Sequence, residues 1–431
     1  MLGVYYLSLS FKVRRFCNTQ PGVISFLQTI MVMQKKTVFW LFLFTSNTIL
    51  AQAAILKRQG TCTPSSAGNS SIDDVPAISK ALSTCGDGGT IIISAGQTFM
   101  IRSPLDFSNC HGCSFQIDGT LKVSDDLDYW ENKPAFFLVS NVVGATFHSL
   151  TGSGLIDGSG QKYWDYFASH KTYRRPYLVQ VSRSFNTIFT KINLINAPMF
   201  FVSIGGDSSN ITFSELDLSA VSTSDNPPAN TDGIDPSASS HITISNVRIR
   251  NGDDCVAFKN GSNNIIVNNI TCIGSHGLSI GSLGSDSGRP YIVENIYVSN
   301  ATMINCSAAT RIKFYPGGPS HGMVVVSNVT YKDITVENCD YALQVDNCYE
   351  SSSDECKKTP ATAKLSDIRF FDIKGKTSKK YDPVVARIDC APEGTCDLAF
   401  TGWEMTAPSK RSTVLCSHYD HPSGITCTPE Q

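Results

Sequence analysis

Through much of its length the chain repeats one short phrase: a polar residue, often Asn, then Ile or Val, then positions that alternate polar and apolar. It reads Asn210-Ile211-Thr212-Phe213, His241-Ile242-Thr243-Ile244, Asn264-Ile265-Ile266-Val267, Asn295-Ile296-Tyr297-Val298, Asn328-Val329-Thr330-Tyr331 and Asp367-Ile368-Arg369-Phe370. With Thr187-Ile188-Phe189 included, the apolar anchors Ile188, Ile211, Ile242, Ile265, Ile296, Val329 and Ile368 step by 23, 31, 23, 31, 33 and 39 residues. Period-two alternation marks half-buried strands, and self-similarity at roughly 20 to 50 residues marks a solenoid whose units bury their apolar faces on one another. The Leu-x-x-Leu-x-Leu pattern of leucine-rich repeats is absent. The pattern predicts an all-β fold, a right-handed parallel β-helix whose longer periods carry insertions.

Helical spacing occurs at Ile72, Val75, Ile78, Ala81 and Leu82, within Ser71 to Leu82, with Asp73 and Asp74 placed in a first turn where the helix dipole favours acids. One short helix there would cap the open N-terminal end of the solenoid, where strand edges and core are otherwise exposed. No second domain is expected, and Gly375 to Gln431, with four cysteines, reads as the last coil and its cap.

The first 58 residues differ in kind, with seven Lys/Arg and no Asp or Glu. Lys35-Lys36 precedes an apolar run from Thr37 to Leu50, shorter than the roughly 20 residues a membrane span needs, and Ala51-Gln52-Ala53 follows as a small-x-small cleavage site. Residues 31–53 therefore read as a secretory signal peptide, residues 1–30 as a gene-model extension ahead of Met31 and Met33, and 54–58 as a short propeptide ending at Lys57-Arg58. Residues 59–431 are expected to form a single parallel β-helix domain. They carry 28 basic against 37 acidic residues, so the overall field does not attract polyanions and nucleic acid is not indicated. An anionic substrate would have to be held by local cations.

Of fifteen cysteines, Cys17 lies in the leader; the other fourteen, an even number behind a signal peptide, favour disulfides over metal ligands. Cys62 with Cys85, Cys348 with Cys356, Cys390 with Cys396 and Cys416 with Cys427 are plausible pairs, though spacing does not fix connectivity. Cys110-His111-Gly112-Cys113 has redox-motif spacing but lacks a surrounding βαβ pattern. Seven Asn-x-Ser/Thr sequons begin at Asn69, Asn210, Asn260, Asn269, Asn300, Asn305 and Asn328; several coincide with the repeat phrase, where Asn also serves a coil turn.

The chemistry concentrates in Asn230-Thr231-Asp232, Gly252-Asp253-Asp254 and Ser275-His276-Gly277, with 21 residues from Asp232 to Asp253 and 23 from Asp253 to His276, and in Arg311-Ile312-Lys313, 35 residues after His276. Residues one coil apart lie about 4.8 Å apart on neighbouring strands, so these groups form a ladder up one wall. Arg311 and Lys313 share a side of their strand, whereas Asp253 and Asp254 need a bend or a strand end to face one groove. Close carboxylates repel, so one retains its proton, and a general acid and a general base can stand side by side. A lone acid such as Asp235 reads as an Asx turn.

In this order and spacing the four motifs, together with Gly152-Ser153-Gly154-Leu155-Ile156-Asp157-Gly158 and Tyr163-Trp164-Asp165, resemble glycoside hydrolase family 28, the polygalacturonases, over residues 60 to 431. The resemblance implies inverting hydrolysis of galacturonosidic bonds in pectic polysaccharide. It implies Asp253 as general acid, Asp232 and Asp254 holding the water, and His276 tuning the acid. Arg311, Lys313, Asn230 and, more loosely, Tyr341 would bind substrate, and Cys255 would pair with Cys272. A secreted, extracellular monomer needing no cofactor and no metal is expected, with no membrane attachment in the mature form. The sequence around His276 is most similar to that of exo-acting fungal members, and a loop from Cys348 to Cys356 could close one end of the groove, so exo action is expected. Endo-polygalacturonase and xylogalacturonan hydrolase are the alternatives inside the family. Outside it stand a pectate-lyase-like enzyme, which would need calcium and an arginine base, and a non-catalytic carbohydrate-binding β-helix.

Overall fold

The computed structural model describes residues 60–430. The stretches read above as a gene-model extension, a signal peptide and a propeptide, with Cys17, lie outside the described residues. The described chain winds as a right-handed parallel β-helix with three faces. The first face runs through Thr90–Ile93, Ser114–Ile117, Thr146–His148, Phe185–Thr190 and Ser208–Ser214, and the second through Thr98–Ile101, Thr120–Val123, Leu155–Asp157, Asn193–Ile195 and Asp217–Ser219. From Ser239–Arg250 onward one long strand per coil serves both faces. The third face is a twelve-stranded parallel sheet from Leu105–Asp106 to Cys427–Pro429.

The polar head of the repeat phrase makes the corners. Asn210, His241, Asn264, Asn295, Asn328 and Asp367 all take a left-handed backbone, φ 53 to 58°, and a second corner falls at Asn246, Asn269, Asn300, Asp333 and Asp372, φ 54 to 55°. Outside glycine, Asn and Asp tolerate this region best, which explains the residue choice at five of the seven sequons. Amides of successive coils also meet, as Asn328 Nδ2 donates to Asn295 Oδ1 at 2.6 Å and Asn269 Nδ2 to Asn246 Oδ1 at 2.7 Å.

The apolar anchors stack inward in register: Ile211, Ile242, Ile265, Ile296, Val329 and Ile368 pair in sequence and are buried. Ile188 does not join them. The register sets Thr187 opposite Ile211 and leaves Ile188 40 % exposed, because the corner in this coil, Asn186, precedes Ile188 by two residues and not by one. Two positions along, Phe147, Phe189 and Phe213 stack at 4.7 and 4.9 Å, and Tyr331, Phe370 and Phe400 at 5.4 and 4.8 Å. Each such side chain gains roughly 1.5–3 kcal/mol by leaving water.

The N-terminal helix is present but shifted to Val75–Cys85, where Val75, Ile78, Ala81, Leu82 and Cys85 are buried over the first strands. Asp73 and Asp74 lie before it, not in its first turn. Asp74, 2 % exposed, accepts from the N–H groups of Ala67 and Met100 at 2.7 Å each, tying the helix start to the first coil. Three further short helices, Leu127–Trp130, Gln161–Ser169 and Ser353–Lys358, sit in insertions that carry no strand pattern. All fourteen cysteines of the described chain pair, including Cys255 with Cys272 and the four plausible pairs named above. Cys306 pairs with Cys339, and Cys110 with Cys113 as a buried structural bridge.

Candidate active site

The sequence clusters meet where the second face turns into the third. Asp232 precedes strand Ile234–Pro236 by two residues, Asp253 directly precedes Asp254–Phe258, and His276 directly precedes Gly277–Leu283. Backbone pairing runs through these loop ends, with Gly233 N donating to Asp254 O at 3.0 Å and His276 N to Asp253 O at 2.8 Å. The bend needed to separate Asp253 from Asp254 is a strand start followed by a register shift between Asp254 and Val256. Asp253 consequently stays partly open to solvent, while Asp254 is fully covered.

The acids have different partners. Asp253 Oδ1 lies 2.9 Å from His276 Nδ1, and its Oδ2 accepts from Asn230 Nδ2 at 3.3 Å. Asp254 accepts from Ser279 Oγ at 2.6 Å and from Lys313 Nζ at 2.7 Å, filling both oxygens. The Asp232 carboxylate accepts no hydrogen bond from a described residue; Lys259 Nζ stands 3.9 Å away and reaches Asp235 at 3.6 Å. Asp235 is no Asx turn: it sits on strand Ile234–Pro236, is 2 % exposed, and both its oxygens are buried without hydrogen-bond partners.

These surroundings split the carboxylates. Burial raises Asp253's proton affinity, but the hydrogen bond and charge of His276, then Lys313 and the Asp254 N–H, outweigh it and bring the group to about 2. Asp232 moves the other way, well above the ordinary carboxylate range, pushed by burial and by Asp235 and Asp253 against the pull of Lys259. Burial lifts Asp235 to about 7 although Lys259 opposes it. Lys259 rises because the surrounding carboxylates, Asp235 foremost, overcome its own desolvation. Donor atoms of Asp253, Asp254 and His276 lie within 4.8 Å of one another, close enough to hold a cation. Lys313 and His276 already lie against those carboxylates.

On the cation side, Arg311 and Lys313 project together from strand Ala308–Phe314, with Ile312 buried between them. Lys313 is 3 % exposed and committed to Asp254, not turned freely to the groove. Arg311 reaches Asp346 at 3.7 Å, and both cations lie over the ring of Tyr349, at 5.4 and 4.9 Å. Tyr349 belongs to the Cys348–Cys356 loop, which thus covers the cations. Tyr341 stands farther along, stacked on Tyr381 with centroids 4.6 Å apart.

Sequence reasoning passed over Arg175, Lys259, Ser279 and Tyr349. Arg175, 5 % exposed, donates to the carbonyls of Pro198 and Ala229 at 2.9 and 2.7 Å and to Asn230 Oδ1 at 2.7 Å, with its guanidinium 3.7 Å over Phe167. That contact fixes the Asn230 amide so that Nδ2 faces Asp253. Burial lowers Arg175 to about 10 against the raising effect of Asp253. No local motif marks it, since its hydrogen-bond partners lie 23 or more residues away.

Residues 85–427 match the profile of the Glycosyl hydrolases family 28. The chain is 48 % identical over 373 residues to endo-xylogalacturonan hydrolase A of Aspergillus tubingensis, covering 86 % of this chain and 91 % of that enzyme. The crystal structure of the endo-xylogalacturonan hydrolase from A. tubingensis superposes with a TM-score of 0.85, over 86 % of this chain and 99 % of that one. A polygalacturonase from Erwinia carotovora, at 24 % identity and TM-score 0.63 over 83 % of this chain and 96 % of that one, shares the fold.

Proposed function

The chain belongs to the glycosyl hydrolases of family 28, and we propose that it cuts xylose-bearing galacturonan within the polymer, with inversion. The observation that carries the specificity is the 48 % identity sustained over 91 % of an endo-xylogalacturonan hydrolase. The exo expectation rested on a few residues around His276 and on closure of the groove by the Cys348–Cys356 loop. A likeness running over 91 % of an enzyme's length outweighs it and favours the alternative.

In this reading Asp253 protonates the leaving glycosidic oxygen while a water attacks the anomeric carbon from the opposite face. Asp232, whose carboxylate no described residue hydrogen-bonds, takes the water's proton in its ionised form, in which its raised proton affinity makes it a strong base. Asp254, fixed by Ser279 and Lys313, lends negative charge beside it. Asp253 is ionised in the free enzyme and obtains its proton from His276, whose Nδ1 is 2.9 Å away; the pair acts as one proton-carrying unit. Arg311 presents a guanidinium to a uronate carboxylate, with Tyr349 beneath it. Seven disulfides suit an extracellular enzyme.

The test is a time course of products from xylogalacturonan and from de-esterified polygalacturonate, with viscosity followed in parallel. An early fall in viscosity with mixed oligomers, faster on the xylose-bearing polymer, is expected. Monomer from the outset with slowly falling viscosity would restore the exo reading, and unsaturated products would replace hydrolysis by elimination.

A further inference from the structure

On the N-terminal side of the acids lies a cavity of about 740 Å³ lined by Lys133, Lys171, Arg174, Phe167 and Tyr177 and reaching Asn230, the residue that hydrogen-bonds Asp253. Its lining residues lead into four consecutive strands of the third face, Ala135–Ser140, Tyr177–Ser182, Val202–Gly205 and Ile234–Pro236. It therefore spans three coil steps, about 14 Å at the strand spacing of a parallel sheet.

The charge in this cavity is unbalanced. None of Lys133, Lys171 and Arg174 has a carboxylate of a described residue within 4 Å, although acids outnumber bases in residues 59–431. Lys133 and Lys171 instead lie over the rings of Tyr129 and Phe167, at 5.1 and 4.7 Å, contacts that orient an ammonium without neutralising it. Tyr177, stacked on Phe200 at 4.9 Å, adds a flat apolar face suited to a sugar ring. Solvated surface lysines usually spread over convex ground; these converge in a concave wall that ends at the catalytic carboxylate.

We propose that this cavity binds galacturonate units of the substrate on the N-terminal side of the bond that is cut, with Lys133, Lys171 and Arg174 receiving their carboxylates. The proposal rests on the galacturonan reading above. Arg311 and Lys313 lie two strands beyond Asp254 on the opposite side, so anion-binding groups flank the acids both ways. A chain engaged on both sides is cut internally, and the site thereby supplies a structural cause for endo action.

The experiment compares the full-length protein with its Lys133→Ala/Lys171→Ala/Arg174→Ala variant on galacturonate oligosaccharides of increasing length, at low and moderate salt. Loss of three partly exposed ion contacts lowers kcat/KM on long oligosaccharides about tenfold, mainly through KM. That loss exceeds the loss on the shortest cleavable oligosaccharide, and the rise of KM with salt flattens because the screened contacts are gone. The single Lys171→Glu, at an exposed position, shows the same length dependence and guards against a folding defect in the triple variant. Equal loss at every length, or none, overturns the site while leaving the galacturonan reading standing. A wild-type protein that cleaves no galacturonan overturns both.

Discussion

Asp253 is a carboxylate before substrate arrives, held near 2 by His276 and Lys313, so its role as acid depends on a proton delivered from its partner. Asp253→Asn removes the acceptor of that proton and lowers kcat by about 10² to 10⁴ while oligosaccharide binding persists, checked by single-turnover rates and calorimetry. Wild-type turnover in this variant would withdraw the assignment. Asp235, at about 7 when folded against 3.8 unfolded, carries the opposite sign. Between those values the folded state binds more protons than the unfolded one, so the contribution of this group to stability is fully present below pH 3.8 and is lost as pH rises through 7. Asp235→Asn keeps the shape without the charge. Its melting temperature should match wild type at pH 4 and exceed it at pH 8, and a variant less stable at pH 8 would show that the Lys259 pairing outweighs burial. Asp232, Asp253, Asp254 and His276 were legible in the sequence because each stands in a short ordered motif. Asp235 was misread because its burial comes from the third-face packing around it, and Lys259 and Arg175 were missed because their partners come from other coils. Lys313 was placed on this wall, but its pairing with Asp254 was not legible, since nothing local shows that Asp254 is buried beside it.

A coil of the solenoid is specified by where its polar corner falls, and one residue decides which side chains face the core. Most of the corners were readable as Asn or Asp ahead of Ile or Val. The exception was Thr187-Ile188, where no Asn directly precedes the Ile and the true corner is Asn186, φ 54°. Register can be tested at a neighbouring pair: Ile265 is buried in the inward stack, and Ile266 is 49 % exposed. Ile265→Ala should cost about 2–5 kcal/mol in denaturant unfolding, whereas Ile266→Ala stays within about 0.5 kcal/mol. Equal costs would mean that the strand is set one residue off. The loop helices Leu127–Trp130 and Gln161–Ser169 escaped the sequence reading because their burial is set by packing against the loops and third face, not by a repeat. Asp165 of the latter accepts from Ser224 Oγ at 2.5 Å and Asn226 Nδ2 at 2.9 Å, so this helix anchors the loop that delivers Asn230 and Asp232.

Across the described chain each coil touches only its neighbours, so stability is a chain of nearest-neighbour interfaces and the outermost coils have one interface fewer. The disulfides are distributed accordingly. Cys62–Cys85 ties down the N-terminal helix, and Cys348–Cys356, Cys390–Cys396 and Cys416–Cys427 follow one another toward the C-terminal end. Each of these four has at least one half-exposed cysteine, and Cys348–Cys356 has two, whereas both cysteines of Cys255–Cys272 and Cys306–Cys339, around the catalytic coils, are buried. A reductant under native conditions therefore reaches the terminal bridges first, and cleavage of a short loop's bridge costs on the order of 2–4 kcal/mol of local constraint. Hydrogen exchange in mild reductant should show protection lost first in Thr61–Ile101 and in Val384–Pro429, with strands from Ser239 to Cys339 still protected and hydrolysis retained. Activity that disappears while the terminal strands remain protected would place the weak point in the catalytic coils instead. Simultaneous loss along the whole chain would mean that the coils unfold as one cooperative unit, and that the terminal bridges hold the entire solenoid rather than its ends.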